Sequence, residues 1–138
     1  AGVDFRLDAI DVQPECIAEG KTGRLTMGFP IEYLHTPAIV GAKALEKIAF
    51  RVGDLLVPPG VDGIPDARWD LVVCRNFLGY FVELVAVRCV TMLASRVEPG
   101  GALFLDSFCL EKFPLLEPSI GVAGLTRDGQ HPVFVRPY

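Results

Sequence analysis

Residues 69–81, WDLVVCRNFLGYF, constrain this chain more than any other stretch. Trp69–Cys74 is a short apolar run that reads as a strand. Cys74, Arg75 and Asn76 stand at its carboxyl end, and an aromatic pair, Tyr80 and Phe81, follows. From Val82 to Val97 the residues Leu84, Val85, Cys89, Met92, Leu93 and Val97 recur at helical spacing. Glu98-Pro99-Gly100-Gly101 then breaks the chain before a second apolar strand, Ala102–Leu105. In open α/β sheets ligands bind just beyond the carboxyl ends of strands. An arginine and an asparagine in that place, ahead of a helix, suggest a built site.

The same alternation runs along the rest of the chain. Phe5–Ile10 is apolar, ends in Asp11 and reads as a strand. Pro14 suits a first helical position, and Glu15–Lys21 continues as a helix stopped near Gly23. Gly28–Pro37 mixes glycine, proline and aromatics and reads as loop, with a helical turn expected in Pro37–Lys47. Ile48–Val52 is a strand ended by Gly53-Asp54, and Pro58 to Pro65 is loop. Gly121–Leu125 and Pro132–Val135 flank Arg127-Asp128-Gly129 and read as an antiparallel hairpin. Strands alternating with helices predict the α/β class. The expected sheet is Rossmann-like and mostly parallel, with a carboxy-terminal antiparallel hairpin, in one domain over residues 1–138.

Composition narrows the partners. Hydrophobic residues make up 51% and charged residues 22%, which gives a globular chain rather than a disordered one. A net charge of −4 without a dense basic run argues against nucleic acid or an anionic membrane as the main partner. No apolar run is long enough to span a bilayer and no signal-peptide pattern opens the chain. The cysteines, Cys16, Cys74, Cys89 and Cys109, form no C-x-x-C pair. They read as free thiols of a reducing, cytoplasmic compartment rather than disulfides or zinc ligands. His35 and His131 lack metal-ligand spacing and read as ordinary loop histidines.

The Cys74-Arg75-Asn76 tripeptide with Tyr80-Phe81 a few residues on resembles the catalytic domain of the chemotaxis-receptor (CheR-type) protein-glutamate methyltransferases. These are class I, S-adenosylmethionine-dependent enzymes. The resemblance extends back through Val52-Gly53-Asp54-Leu55-Leu56 to Asp11-Val12-Gln13-Pro14-Glu15, and forward to the final hairpin. It implies that Asp11 binds the ribose, that Asp54 and Leu55 hold the adenine, and that Asn76 lies by the cofactor. It also implies that Arg75 positions the substrate and that Tyr80 stands at the methyl-transfer point. Asp106-Ser107 departs from the Gly-His-Ser-Glu type of segment that the family carries there. The family's first strand, with its glycine-rich loop, should precede Phe5, where only Ala1–Asp4 stands. That strand would lie between those at 5–10 and 69–74. Either it lies upstream in a longer protein, or another segment or a second copy fills the gap, with self-association through the incomplete sheet.

Read without the resemblance, each residue has a plainer role. Asp11 either accepts hydrogen bonds from ribose hydroxyls or caps the helix that starts at Pro14, and Asp8 competes for both roles. Asp54 either receives the adenine amino group or serves the turn after Gly53. Arg75 and Asn76 either bind ligand or satisfy their own loop, and Tyr80 either presents its hydroxyl or buries its ring. Set beside the resemblance and what it implies, these readings leave two functions. One is a methyltransferase that esterifies a carboxylate. The other is a non-catalytic module of the same fold that binds an adenosine ligand or a protein.

Overall fold

The computed structural model describes residues 4–25, 38–39, 41–57, 60 and 65–138. His35 and the 28–37 loop expectation lie outside the described residues, as does most of the 58–65 segment. The chain divides into two compact units, Ala1–Pro65 and Asp66–Tyr138.

In the first unit β1 (Leu7–Asp11) pairs in parallel with β4 (Ile48–Val52), so that Asp11 faces Val52 in register. Between them run α1 (Pro14–Lys21), a short antiparallel pair β2 (Arg24–Leu25) and β3 (Ala38–Ile39), and the single-turn α2 (Ala42–Leu45). Helix α1 starts where the sequence places it. Pro14 supplies a helical φ and lacks the N–H that a first turn cannot use. Glu15 and Lys21 sit at the ends that suit their charges. Gly23 adopts φ +70°, which ends the helix at little steric cost. Ile17 is buried, and Gly20 lets the helix approach β4, since a Cβ there would lie 2.7 Å from the Phe50 ring.

The second unit holds β5 (Trp69–Val73), a 3-10 turn at Leu78–Tyr80, α3 (Glu83–Ser95), β6 (Val97–Phe104), α4 (Ser107–Lys112), α5 (Leu116–Val122), β7 (Thr126–Arg127) and β8 (Val133–Val135). The sheet order is β5-β6-β8-β7, parallel between β5 and β6 and antiparallel elsewhere. Three expectations need correction. Glu98-Pro99-Gly100-Gly101 does not break the chain before a strand; it lies inside β6 as an irregularity of register, where Trp69 faces Val97 but Leu71 already faces Ala102. Glycine is needed there, because Gly100 has φ +79° and a Cβ on Gly101 would lie 2.8 Å from the Asp70 carbonyl. Gly121–Leu125 is not a strand; Gly121 and Val122 end α5, a turn at Ala123-Gly124 follows, and the hairpin's first arm is Thr126–Arg127. Leu84 and Val97 are not part of the packed stripe of α3; Leu84 is exposed, Val97 lies beyond the helix end at Ser95 and opens β6, and Ala86, Cys89, Val90 and Leu93 form the buried face.

Register sorts the sheet into two faces. Val72, Leu103 and Phe134 stand side by side, and Leu103 and Phe134 are fully buried in a core that includes Val90, Leu116 and Ile120. Burying such side chains contributes roughly 1.5–3 kcal/mol each. The opposite face carries Leu71 and Val73, both more than half exposed, beside the half-buried Ala102, Phe104, Val133 and Val135. Among the described residues β5 pairs with β6 alone and β1 with β4 alone. No helix among them is long and apolar enough to cross a membrane.

Candidate functional site

In the first unit the parallel pairing brings Asp11 and Asp54 to one end, the carboxyl end of β1 and β4. The Gly53 N–H donates to the Asp11 carbonyl at 2.9 Å. Each carboxylate turns its own loop. Asp11 Oδ1 accepts the Gln13 N–H at 2.8 Å, and Asp54 Oδ1 accepts the Leu56 N–H at 2.8 Å. Asp11 does not cap α1, whose N-cap is Gln13. In both aspartates Oδ2 makes no hydrogen bond among the described residues, so each keeps an acceptor for a ligand. Asp8 is held elsewhere, 3.2 Å from Arg51 with its side chain only 9% exposed. Leu55 is half-buried beside Asp54.

In the second unit the ladder of β5 runs one step past the strand, where the Cys74 N–H donates to the Phe104 carbonyl at 2.9 Å. The Cys74 thiol is buried, and burial pushes its pKa up to about 12. It is an inert core group rather than a nucleophile. The chain then turns sharply. Asn76 adopts φ +52°, a left-handed conformation that asparagine tolerates better than most residues. Its N–H donates to Asp106 Oδ2 at 2.5 Å, and Arg75 Nε donates to Asp106 Oδ1 at 3.2 Å. One carboxylate at the end of β6 therefore ties both residues at the end of β5. This is the local hydrogen bonding weighed as the plainer role of Arg75 and Asn76, and it uses the backbone of Asn76, not its amide.

The 3-10 turn positions the aromatic residue. Leu78 is buried and anchors the turn. The Gly79 carbonyl accepts Lys112 Nζ at 2.7 Å, and Gly79 packs close to the Phe108 ring. Tyr80 is 84% exposed, which excludes the alternative of a ring buried in the core. A cavity of about 400 Å³ opens here, lined by Asn76, Tyr80, Asp106, Ser107 and Phe108, with Gly79 and Cys109. The unit thus brings Asn76 and Tyr80 into one cavity, and Arg75 reaches its wall through Asp106. Burial raises the Cys109 thiol as well.

Asp106, Phe108 and Lys112 were missed from sequence. The signal was present: Asp106 follows an apolar strand and precedes a helix, the pattern that singled out Arg75 and Asn76. Among the described residues no group of His, Cys, Asp and Glu could hold a metal ion.

No family model matches the sequence. The probable biofilm formation methyltransferase WspC of Pseudomonas aeruginosa is 31% identical over 112 residues, covering 73% of this chain and 26% of WspC. The chain thus spans about a quarter of that curated relative. Among solved structures, the N-methyltransferase NodS from Bradyrhizobium japonicum in complex with S-adenosyl-L-homocysteine superposes with a TM-score of 0.58 at 18% identity, covering 96% of this chain and 67% of NodS. A possible exported protein from Bordetella parapertussis gives 0.60 at 14% identity, covering 96% of this chain and 54% of its own. The likeness is one of fold: an α/β, Rossmann-like class I methyltransferase fold, built here on a partial sheet.

Proposed function

We propose that this chain carries the adenosine-binding and acceptor-binding parts of an S-adenosylmethionine-dependent methyltransferase, which esterifies a carboxylate, the side chain of a protein glutamate. The observation that carries the reading is the cavity beyond β5, where Asn76 and an exposed Tyr80 line one wall and Arg75 is held at the next residue. The likeness to WspC, a methyltransferase by name, and to NodS, solved with S-adenosyl-L-homocysteine, supports the same choice of cofactor.

The residues fit that group. Asp11 and Asp54 each retain one carboxylate oxygen, which suits ribose hydroxyls and an adenine amino group, and half-buried Leu55 offers an apolar surface to the ring. Among the described residues the Asn76 side-chain amide makes no hydrogen bond, which suits a role toward the cofactor. When bound, the cofactor supplies an electrophilic methyl on a sulfonium. The acceptor is already ionised at neutral pH, so no general base is needed, and the contribution of the protein is orientation. Arg75 holds the carboxylate, and the exposed Tyr80 presents its hydroxyl to fix the acceptor oxygen. Cys74 and Cys109, buried and outside any disulfide, support a cytoplasmic setting.

Calorimetry with S-adenosylhomocysteine on the natural protein that carries this chain tests the reading. Asp11→Ala should cost about 1.5–3 kcal/mol of binding, roughly tenfold to hundredfold in affinity. Arg75→Ala should leave that affinity unchanged and depress methyl transfer. No measurable binding to the wild-type protein would reject the enzyme in favour of a non-catalytic module.

A further inference from the structure

Asp106 joins the ends of two parallel strands, yet it does not serve the helix it precedes. It is the N-cap residue of α4, but its side chain makes no capping hydrogen bond there. An N-cap aspartate ordinarily accepts from its own helix. Here both oxygens are committed to the loop after β5, one to the Asn76 N–H and one to Arg75 Nε. We infer that Asp106 is the positioning residue of the acceptor site: it grips Arg75 through Nε alone and so presets the two terminal nitrogens as a fork for the acceptor carboxylate. The inference rests on the function proposed above and adds a residue to it.

Three features carry it. A guanidinium has two edges that can hold a carboxylate, one through Nε and one through both terminal nitrogens. Occupying Nε leaves the second edge, and among the described residues those two nitrogens make no hydrogen bond. Exposure follows the same division, since the Asp106 side chain is 15% exposed and that of Arg75 is 61% exposed. The anchor is sheltered and the anchored cation is wet. Charge completes the argument. Asp106 lines the cavity and would repel an acceptor carboxylate unless a cation stood between them. Lys112 is engaged by the Gly79 carbonyl and by the rings of Phe108 and Phe113, so Arg75 supplies that charge.

The test uses N-acetylglutamate α-amide as the probe and the natural protein with ¹⁵N-labelled arginine. Addition of the probe should shift the Arg75 side-chain resonances. Asp106→Asn keeps an oxygen for the Asn76 N–H but loses the charge that holds Arg75, and should weaken the probe about tenfold. S-adenosylhomocysteine affinity should stay unchanged. In an Arg75→Ala background the same substitution should change nothing further. A merely structural Asp106 would instead lower the affinity for both ligands and add to Arg75→Ala. Should Asp106→Asn fail to fold, Arg75→Lys at the exposed position replaces it. One ammonium cannot hold Asp106 and offer a fork, so the probe should again be lost. Probe affinity unchanged in Asp106→Asn or Arg75→Lys overturns the inference, as does a wild-type protein whose Arg75 ignores the probe. Probe binding through Arg75 without any base-labile methyl ester in the presence of S-adenosylmethionine would sink the proposed function and leave the carboxylate fork standing.

Discussion

Asn76 separates what the turn needs from what a ligand needs. Its backbone takes φ +52° and its N–H is spent on Asp106, so the side chain contributes little to that bond. Asn76→Gly keeps the turn and deletes the amide. Asn76→Ala deletes the amide and forces a Cβ-bearing residue without local side-chain bonding into the left-handed region, at about 1–2 kcal/mol. Glycine gives back about 0.4–1 kcal/mol through the entropy of its unfolded chain. The alanine variant should therefore be less stable than the glycine variant by about 1 kcal/mol, or roughly 3 °C in melting temperature for a chain of this size. Binding should follow a different order. Both variants lose the same amide, worth about 1 kcal/mol or roughly fivefold in affinity for S-adenosylhomocysteine. Thermal melts and calorimetry on the two proteins should thus separate in stability and coincide in affinity. Equal melting temperatures would refute the backbone argument, and wild-type affinity in Asn76→Gly would refute the role of the amide.

Arg136 donates from Nη2 to the Ala94 and Ala123 carbonyls, at the carboxyl ends of α3 and α5. Arg136→Ala should cost about 2–4 kcal/mol in chemical denaturation, with Arg136→Lys recovering part of it; a loss under 0.5 kcal/mol, roughly the scale of an ordinary surface change, would show that water replaces the clamp. The Cys74 pKa, pushed up by burial to about 12 in the folded state, keeps that thiol neutral while an unfolded thiol ionises near its ordinary value of 9.0. Stability should therefore be intact below pH 9 and fall between 9 and 12 with a slope approaching about 1.4 kcal/mol per pH unit from this group, a component that Cys74→Ala removes. Among the described residues one edge of β5 is unpaired, and with the exposed Leu71 and Val73 it should make the 138-residue chain, expressed as such, associate with a second copy of itself. Light scattering should find more than 15.0 kDa and a return to monomer in Leu71→Lys; a monomeric wild type would count against this.

Legibility followed the range of the interactions. Pro14, Gly23 and Gly53 act on their neighbours, and the elements they bound stand where the sequence places them. The strand at 69–73 was clear because an apolar run met polar residues at one end. The misreadings arose where distant contacts decide. Pro99-Gly100-Gly101 has the composition of a turn, but Asp70 and Tyr138 pack against it and β6 absorbs it. Gly121–Leu125 alternates like a strand, but Ile120 and Leu116 are drawn into the core from a helix. Of the site, Arg75, Asn76 and Tyr80 were legible as a cluster in sequence. Asp106 carries the same strand-to-helix signal, but its pairing with Asn76 and Arg75 was not legible, because they lie 30 and 31 residues away and no local pattern reports the bond.

The order β5-β6-β8-β7 also fixes a timetable for biosynthesis. β8 lies between two strands made before it, and Phe134 fills the centre of the core. Until the ribosome has passed Arg136, β6 has no neighbour on that side, β7 has none at all, and two helix ends lack their cation. A released product ending at residue 130 would lack β8 and leave the buried faces of α3 and α5 short of their partner Phe134, the kind of exposed apolar surface that makes a chain prone to aggregate. The carboxy-terminal residues of this unit are thus the last requirement for its sheet: a product truncated before β8 leaves β6 and β7 unjoined, and one carried past Arg136 can join them.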